Sequence, residues 1–302
     1  IIDTEVLGNW IENGVPEGEA KDLPKSPFYS DSWQLGKPDM VLQPPAAAVS
    51  LPEGESGYRT IAIPTNLLVD RWVRAVDFKP GDGSRVHCAA IYAEDPGDPP
   101  TREDRPAGHL IGYWMPGQKT VSWPAGDGLL LKAASRLIVR IHYTGSGTSK
   151  PDQSQVAVYF ADKRPAREVN QAEIDAPQLR IQVVSGPQRV TASYTLQEDS
   201  KLLALRPAVS PLIVSLQATA YRPDGSVKVL VWTTGNKWDW APIYYERRPV
   251  ELPKGTRIET TVYFDNSNGN KNNPNSPAKE VGWSSLSGDP FCTLMLASKT
   301  AD

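Results

Sequence analysis

LRIQVVSGPQRVTASYTLQEDSKLLALRP, residues 179–207, contains three short runs: LRIQVVS (179–185), RVTASYTL (189–196) and KLLALRP (201–207). Gly186, Pro187 and the Glu-Asp-Ser of 198–200 separate them, and these residue types favour turns. Runs of this length, alternating or rich in β-branched residues and closed by turn residues, read as strands. The pattern continues downstream in LIVSLQATAY (212–221), SVKVLVWTT (226–234), RIETTVYFD (257–265) and FCTLMLAS (291–298). Upstream it appears in YRTIAIP (58–64), DRWVRAVDFKP (70–80), RVHCAAIYA (85–93), RLIVRIHYT (136–144) and QVAVYFA (155–161). Strands at this spacing predict an all-β chain of two antiparallel, jelly-roll-like β-sandwiches. DKRPAREVNQAEI (162–174) interrupts the rhythm and reads as a charged connector. The expected divisions are a helix and extended arm over 1–45, a first sandwich over 46–165 and a second over 166–302.

Composition agrees. The 302 residues are 39% apolar and 22% charged, as in folded globular chains. Proline occurs 28 times, against a usual ~5% of residues, and falls between the apolar runs. A formal charge of −3 excludes a basic nucleic-acid footprint as the main theme. No apolar run approaches the ~18 residues that would cross a bilayer as a helix. Ile1 rather than Met at the start suggests a processed chain or a piece of a longer one. DTEVLGNWIENG (3–14) predicts a short helix closed by Gly14, and the Pro/Gly-rich text from Val15 predicts an extended arm.

Few residues are equipped for chemistry. There is no phosphate-binding glycine loop, nucleophile elbow or HExxH motif. Cys88 and Cys292 lie too far apart in sequence for a metal knuckle, and two cysteines make no disulfide framework. His87 and His142 lie within predicted strands, while His109, in AGHLIG, reads as a surface or loop histidine. Imidazole suits copper or zinc, and the thiol of Cys88 suits Cu(I). Adjacent strand residues face opposite ways, so joint binding by His87 and Cys88 needs a bulge or a strand end. The alternative reading is that the two histidines are simply packed, hydrogen-bonded strand residues.

GYWMPGQKTVSWPAGDGLLLKAASRLIVRIHYTGSG (112–147) resembles a segment of the copper type II, ascorbate-dependent monooxygenases. That family includes the peptidylglycine α-hydroxylating and dopamine β-monooxygenases. RPDGS (222–226), WDWAPIYY (238–245), LPKGTRIETTVYFDNSNGNKNNPN (252–275) and VGWSS (281–285) are similar to its C-terminal part, so the resemblance covers roughly 45–300. It implies two jelly-roll-like sandwiches and two separate coppers. The electron-relay copper of the family would fall on His87, Cys88 and His142, with the thiol replacing one histidine. The ligand positions of the oxygen-activating copper would fall on Ala208, Ser210 and Phe291, none of which is a plausible copper ligand. The resemblance therefore implies a degenerate bacterial member, a pseudoenzyme holding no cofactor or at most one copper.

EVLGNWIENGVPEGEAKDLP (5–24) resembles the end of a c-type cytochrome domain, without any CxxCH haem motif in the chain. These resemblances imply a non-catalytic, periplasmic accessory subunit, peripheral to the membrane. Its partner would be a cytochrome-bearing respiratory or photosynthetic complex. Trp33, Trp238, Trp240, Tyr244 and Tyr245 are candidate anchors for such a partner. The alternative reading is a single-copper or electron-relay protein using His87, Cys88 and His142. A remote alternative is a working copper monooxygenase.

Overall fold

The computed structural model describes residues 2–23, 32–45, 55–101, 106–123, 126–145, 153–176, 179–235, 243–282 and 294–300. The chain divides into two compact units, 1–32 and 33–302.

In the first unit, helix α1 spans Ile2–Glu12, followed by a 3-10 turn at Ala20–Asp22. Gly14 adopts φ 80° just beyond the helix, the left-handed conformation expected of a terminating glycine. Trp10 Nε1 donates to the Pro16 carbonyl at 2.9 Å, which folds the following chain back over the last turn. Val6, Leu7, Trp10 and Ile11 are all exposed.

In the second unit, nineteen strands form among the described residues. The first eleven are β1 (Met40–Leu42), β2 (Gly57–Pro64), β3 (Arg71–Lys79), β4 (Val86–Glu94), β5 (His109–Trp114), β6 (Val121–Ser122), β7 (Asp127–Leu131), β8 (Arg136–Tyr143), β9 (Gln155–Phe160), β10 (Arg167–Ile174) and β11 (Arg180–Ile181). They continue with β12 (Gln188–Thr195), β13 (Ser200–Pro207), β14 (Ile213–Tyr221), β15 (Val227–Thr234), β16 (Tyr244–Leu252), β17 (Arg257–Phe264), β18 (Val281–Gly282) and β19 (Leu294–Thr300).

Two sandwiches result, and the all-β expectation holds. One sheet, β2-β8-β4-β5, faces the β9-β3-β7 part of a nine-stranded sheet. Between them lies a core that includes Ile61, Val73, Ile91, Leu129, Val139 and Val158. The other sheet, β12-β17-β14-β15, faces β10-β19-β13-β16, and Leu202, Leu216, Ile258, Phe264 and Leu296 fill the space between. Alternation along each strand sends one set of side chains inward, and their burial supplies the main driving force.

The nine-stranded sheet runs through both sandwiches in the order β1-β9-β3-β7-β10-β19-β13-β16, with β6 beside β3. Its central member, β10, is the segment the sequence suggested was a charged connector. Its polar side chains are partnered from neighbouring strands, so charge did not prevent strand formation. Arg167 Nε donates to Asp127 Oδ1 at 2.9 Å, and Tyr92 Oη donates to Glu173 Oε1 at 3.0 Å. The β10–β7 pairing is parallel, unlike the antiparallel ladders around it. Gly108, just before β5, has φ 85°, and a Cβ there would lie 2.0 Å from the Ala93 carbonyl oxygen. Only glycine fits that approach.

The described part of the arm is also held by backbone pairing. β1 pairs with β9, and Asp39 Oδ2 accepts the Phe160 N–H at 2.7 Å. The DNS block of 265–267 is a packing device. Asn266 is fully buried, and its amide nitrogen donates to the carbonyls of Ile181 and Lys279. Its Oδ1 accepts from Asn273 Nδ2.

Candidate metal centre

β4 and β8 are neighbours in the first sandwich, and their pairing carries one irregularity. Val86 pairs with Tyr143, yet Cys88 pairs with His142, so His87 is an extra residue on β4. This is a β-bulge, and it reverses the alternation beyond it. Val86 and Ala89 point into the sandwich core, whereas Cys88 joins a cluster on the opposite face of the sheet. The bulge meets the condition that joint binding by adjacent strand residues demands.

The donor atoms of His87, Cys88 and His142 consequently lie within 4.8 Å of one another. For any such triangle, one point lies within ~2.8 Å of all three corners. That is about half an ångström beyond the ~2.0–2.3 Å of metal–nitrogen and metal–sulfur bonds. Small side-chain rotations close the difference. Cys88 is fully buried and His87 nearly so, while His142 is half-buried. The two imidazoles meet edge to face with ring centres 5.3 Å apart.

The surroundings keep His142 neutral. Burial is the main cause, followed by the positive fields of His87 and Arg140, and its pKa falls to about 4. Its buried Nδ1 meets no hydrogen-bond partner among the described residues. A neutral imidazole with a free ring nitrogen is the form that ligates metals.

Two neighbours lay outside the sequence-based selection. Tyr58, the cross-strand partner of His142 from β2, packs against the imidazole with ring centres 4.5 Å apart and planes tilted by 43°. The Arg140 guanidinium sits 4.8 Å from the centre of the Tyr58 ring. Arg140 could have been found from strand alternation, since it lies two residues before His142 and so shares its face, whereas Tyr58 needed the β2–β8 register.

The sheet face bearing Cys88 is covered from the second sandwich by Val209 and Met295, and Met115 joins the same cluster. The Arg206 guanidinium lies 3.3 Å from the Tyr113 ring centre and donates to Met295 Sδ at 3.2 Å.

The positions matched to the second copper are engaged in packing. Ala208 is buried in the second core, and Ser210 Oγ accepts the Leu212 N–H at 3.3 Å. Phe291, Trp238 and Trp240 lie outside the described residues. Trp33 packs within the chain against Ala75, Ala157 and Tyr159, so its ring is at least partly committed to intramolecular contact. Tyr244 and Tyr245 are exposed at 41% and 55%. His109 opens strand β5 rather than lying in a loop, and is half-buried.

No family model and no curated protein matches this chain. Among solved structures, the VP2 subviral particle of infectious bursal disease virus is similar at 10% identity, covering 86% of this chain and 75% of that one, with a TM-score of 0.24. PBCV-1 VP54, fitted into a reconstruction of the virophage Sputnik, is similar at 9% identity over 86% of this chain and 92% of that one, with a TM-score of 0.26. Likeness at this level carries no argument about what this chain does. No helix among the described residues is long and apolar enough to cross a membrane.

Proposed function

We propose that this chain holds one copper ion through His87, Cys88 and His142 and serves as an electron relay rather than an oxygen-activating hydroxylase. The observation that carries this reading is the bulge at His87, which turns two adjacent side chains onto one face opposite His142. Two imidazoles and one thiolate are the donor set of trigonal electron-transfer copper sites, and copper held this way passes single electrons.

The chain's own groups suit a monovalent ion. One thiolate balances the single charge of Cu(I), so no net charge is buried beside the Arg140 guanidinium. Burial of Cys88 excludes solvent from the sulfur, and the tilted Tyr58 ring packs against the His142 imidazole. The resemblance to the copper monooxygenases supports the same assignment, with Ala208 and Ser210 offering no second set of ligands.

The test is an anaerobic Cu(I) titration against a competing chelator. One equivalent is expected to bind, with His142→Ala weakening it by at least ~100-fold, above the ~10–100-fold typical of outer-shell changes. Binding below ~0.2 equivalents, or unchanged binding in the variant, overturns the proposal.

An accessory role beside a membrane electron-transfer complex, in an extracytoplasmic compartment, is compatible with this chemistry. It draws support from the four exposed apolar residues of α1, Val6, Leu7, Trp10 and Ile11. Detergent extraction of native membranes, followed by size separation, is expected to carry the chain with a cytochrome-bearing complex. Recovery solely as a free monomer would sink the accessory role.

A further inference from the structure

The second sandwich is filled at one end and open at the other. A cavity of about 350 Å³ lies between its sheets, beside the turn that joins β12 to β13. Its walls include Leu196, Leu202, Leu252, Ile258 and Leu296, all buried.

The cavity follows from residue size. On β10, Ala172 and Asn170 stand beside Leu296 and Ser298 of β19, and Ser298 also pairs with Leu202 of β13. Alanine and serine here leave unfilled the space that Ile174, Leu205 and Leu294 occupy elsewhere in the same core. Tyr194 and Ile258, cross-strand partners, form the opposite wall. Asn170, Gln197 and Glu198, all exposed, line the mouth. Protein interiors are otherwise close-packed, and empty apolar volume is destabilising. The cavity is open-mouthed and mostly apolar, with Gln171, Ser200 and Ser298 adding polar groups to its lining, and a mostly apolar cavity with a few polar groups is the usual form of a small-molecule site.

We propose that this cavity binds a compact apolar molecule bearing one neutral hydrogen-bonding group, independently of the metal centre. In another protein an apolar cavity of about 150 Å³ takes benzene, so this volume suits a fused bicyclic of about ten to twelve non-hydrogen atoms. The ring system rests on the leucines, and its polar group meets the amides of Asn170 or Gln197 at the mouth. Among the described residues no lysine, arginine or histidine lines the cavity, and Glu198 is the one carboxylate. An anionic head group therefore meets repulsion without compensation.

The test uses 2-naphthol as probe, with 2-naphthoate as its anionic counterpart. Titration of the full chain is expected to show one saturable site with Kd on the order of 0.1 mM for naphthol, a modest efficiency for a ligand of this size. The methyl resonances of Leu196, Leu202, Leu252 and Leu296 are expected to shift on binding. Naphthoate is expected to bind at least ~10-fold more weakly, and Glu198→Gln to narrow that gap. Ala172→Phe, which fills the cavity, is expected to weaken naphthol at least ~10-fold, and Ser298→Leu serves where that variant does not fold. Absence of saturation at 1 mM probe (~10 times the expected Kd), shifts confined to other methyls, or unchanged affinity in a folded cavity-filling variant would each overturn the proposal. Equal affinity for naphthoate would overturn the charge selectivity.

Discussion

Cys88→Ser is expected to remain folded while losing the sulfur-to-copper charge-transfer absorption of the oxidised, copper-loaded protein. Its Cu(I) affinity is expected to fall at least ~100-fold, beyond the range of outer-shell effects. Serine nearly matches cysteine in size, so no cavity opens at this fully buried position beside Ala90 and Ile138, and burying its hydroxyl costs about 1–3 kcal/mol, which a folded chain withstands. Its hydroxyl is a hard, protonated donor at neutral pH, whereas the thiolate is the soft ligand Cu(I) prefers. The bulge belongs to the backbone register, so His87 and His142 keep their places and the loss reports on sulfur alone. Absorption spectroscopy and chelator competition on the same sample check both outcomes, and an unaltered band would place the copper elsewhere.

Asp127→Asn is expected to cost about 3–5 kcal/mol, the range for breaking a buried ion pair by removing one partner. The Asp127 side chain is 2% exposed, with Arg167 Nε 2.9 Å from one oxygen and Lys299 Nζ 3.3 Å from the other. Lys299 is itself buried, so the neutral amide would leave its ammonium without a counter-charge. In a unit of this size, that corresponds to a melting temperature lower by about 6–20 °C. Replacing Lys299 by methionine in the same chain is expected to recover much of the loss, because apolar replacements of buried pairs are often tolerated. Thermal melts of the single and double variants decide it; a loss below ~1 kcal/mol in the single variant would place the pair among exposed ones.

Much of the fold was legible because its strands are short alternating or apolar runs closed by turn residues. β17 alternates, with Ile258, Val262 and Phe264 buried and Tyr263 exposed, whereas β4 and β8 are β-type runs buried on both faces. β10 was hidden because its polar groups are satisfied by partners distant in sequence, and no local pattern reports that Arg167 will meet Asp127. β16 was missed because Tyr244–Leu252 contains two arginines, two glutamates and a proline and is largely exposed.

At the candidate metal centre the residue types could be read directly, since imidazole and thiol are rare in this chain. Their convergence could not. A bulge at His87 has no compositional mark, and it is visible only once β4 is laid against β8. Arg140 lay within reach of strand periodicity, but the pairing register was needed to place Tyr58.

The hydrogen-bond ladder that crosses from β7 through β10 to β19 also bears on how the molecule comes apart. Among the described residues the β7–β10 crossing is two residue pairs long, Arg167 with Asp127 and Glu168 with Gly128, and the ion pairs of Asp127 to Arg167 and Lys299 tie the same point. Whatever parts the two halves of the sheet therefore acts on one short seam, where backbone and charge contacts are lost together.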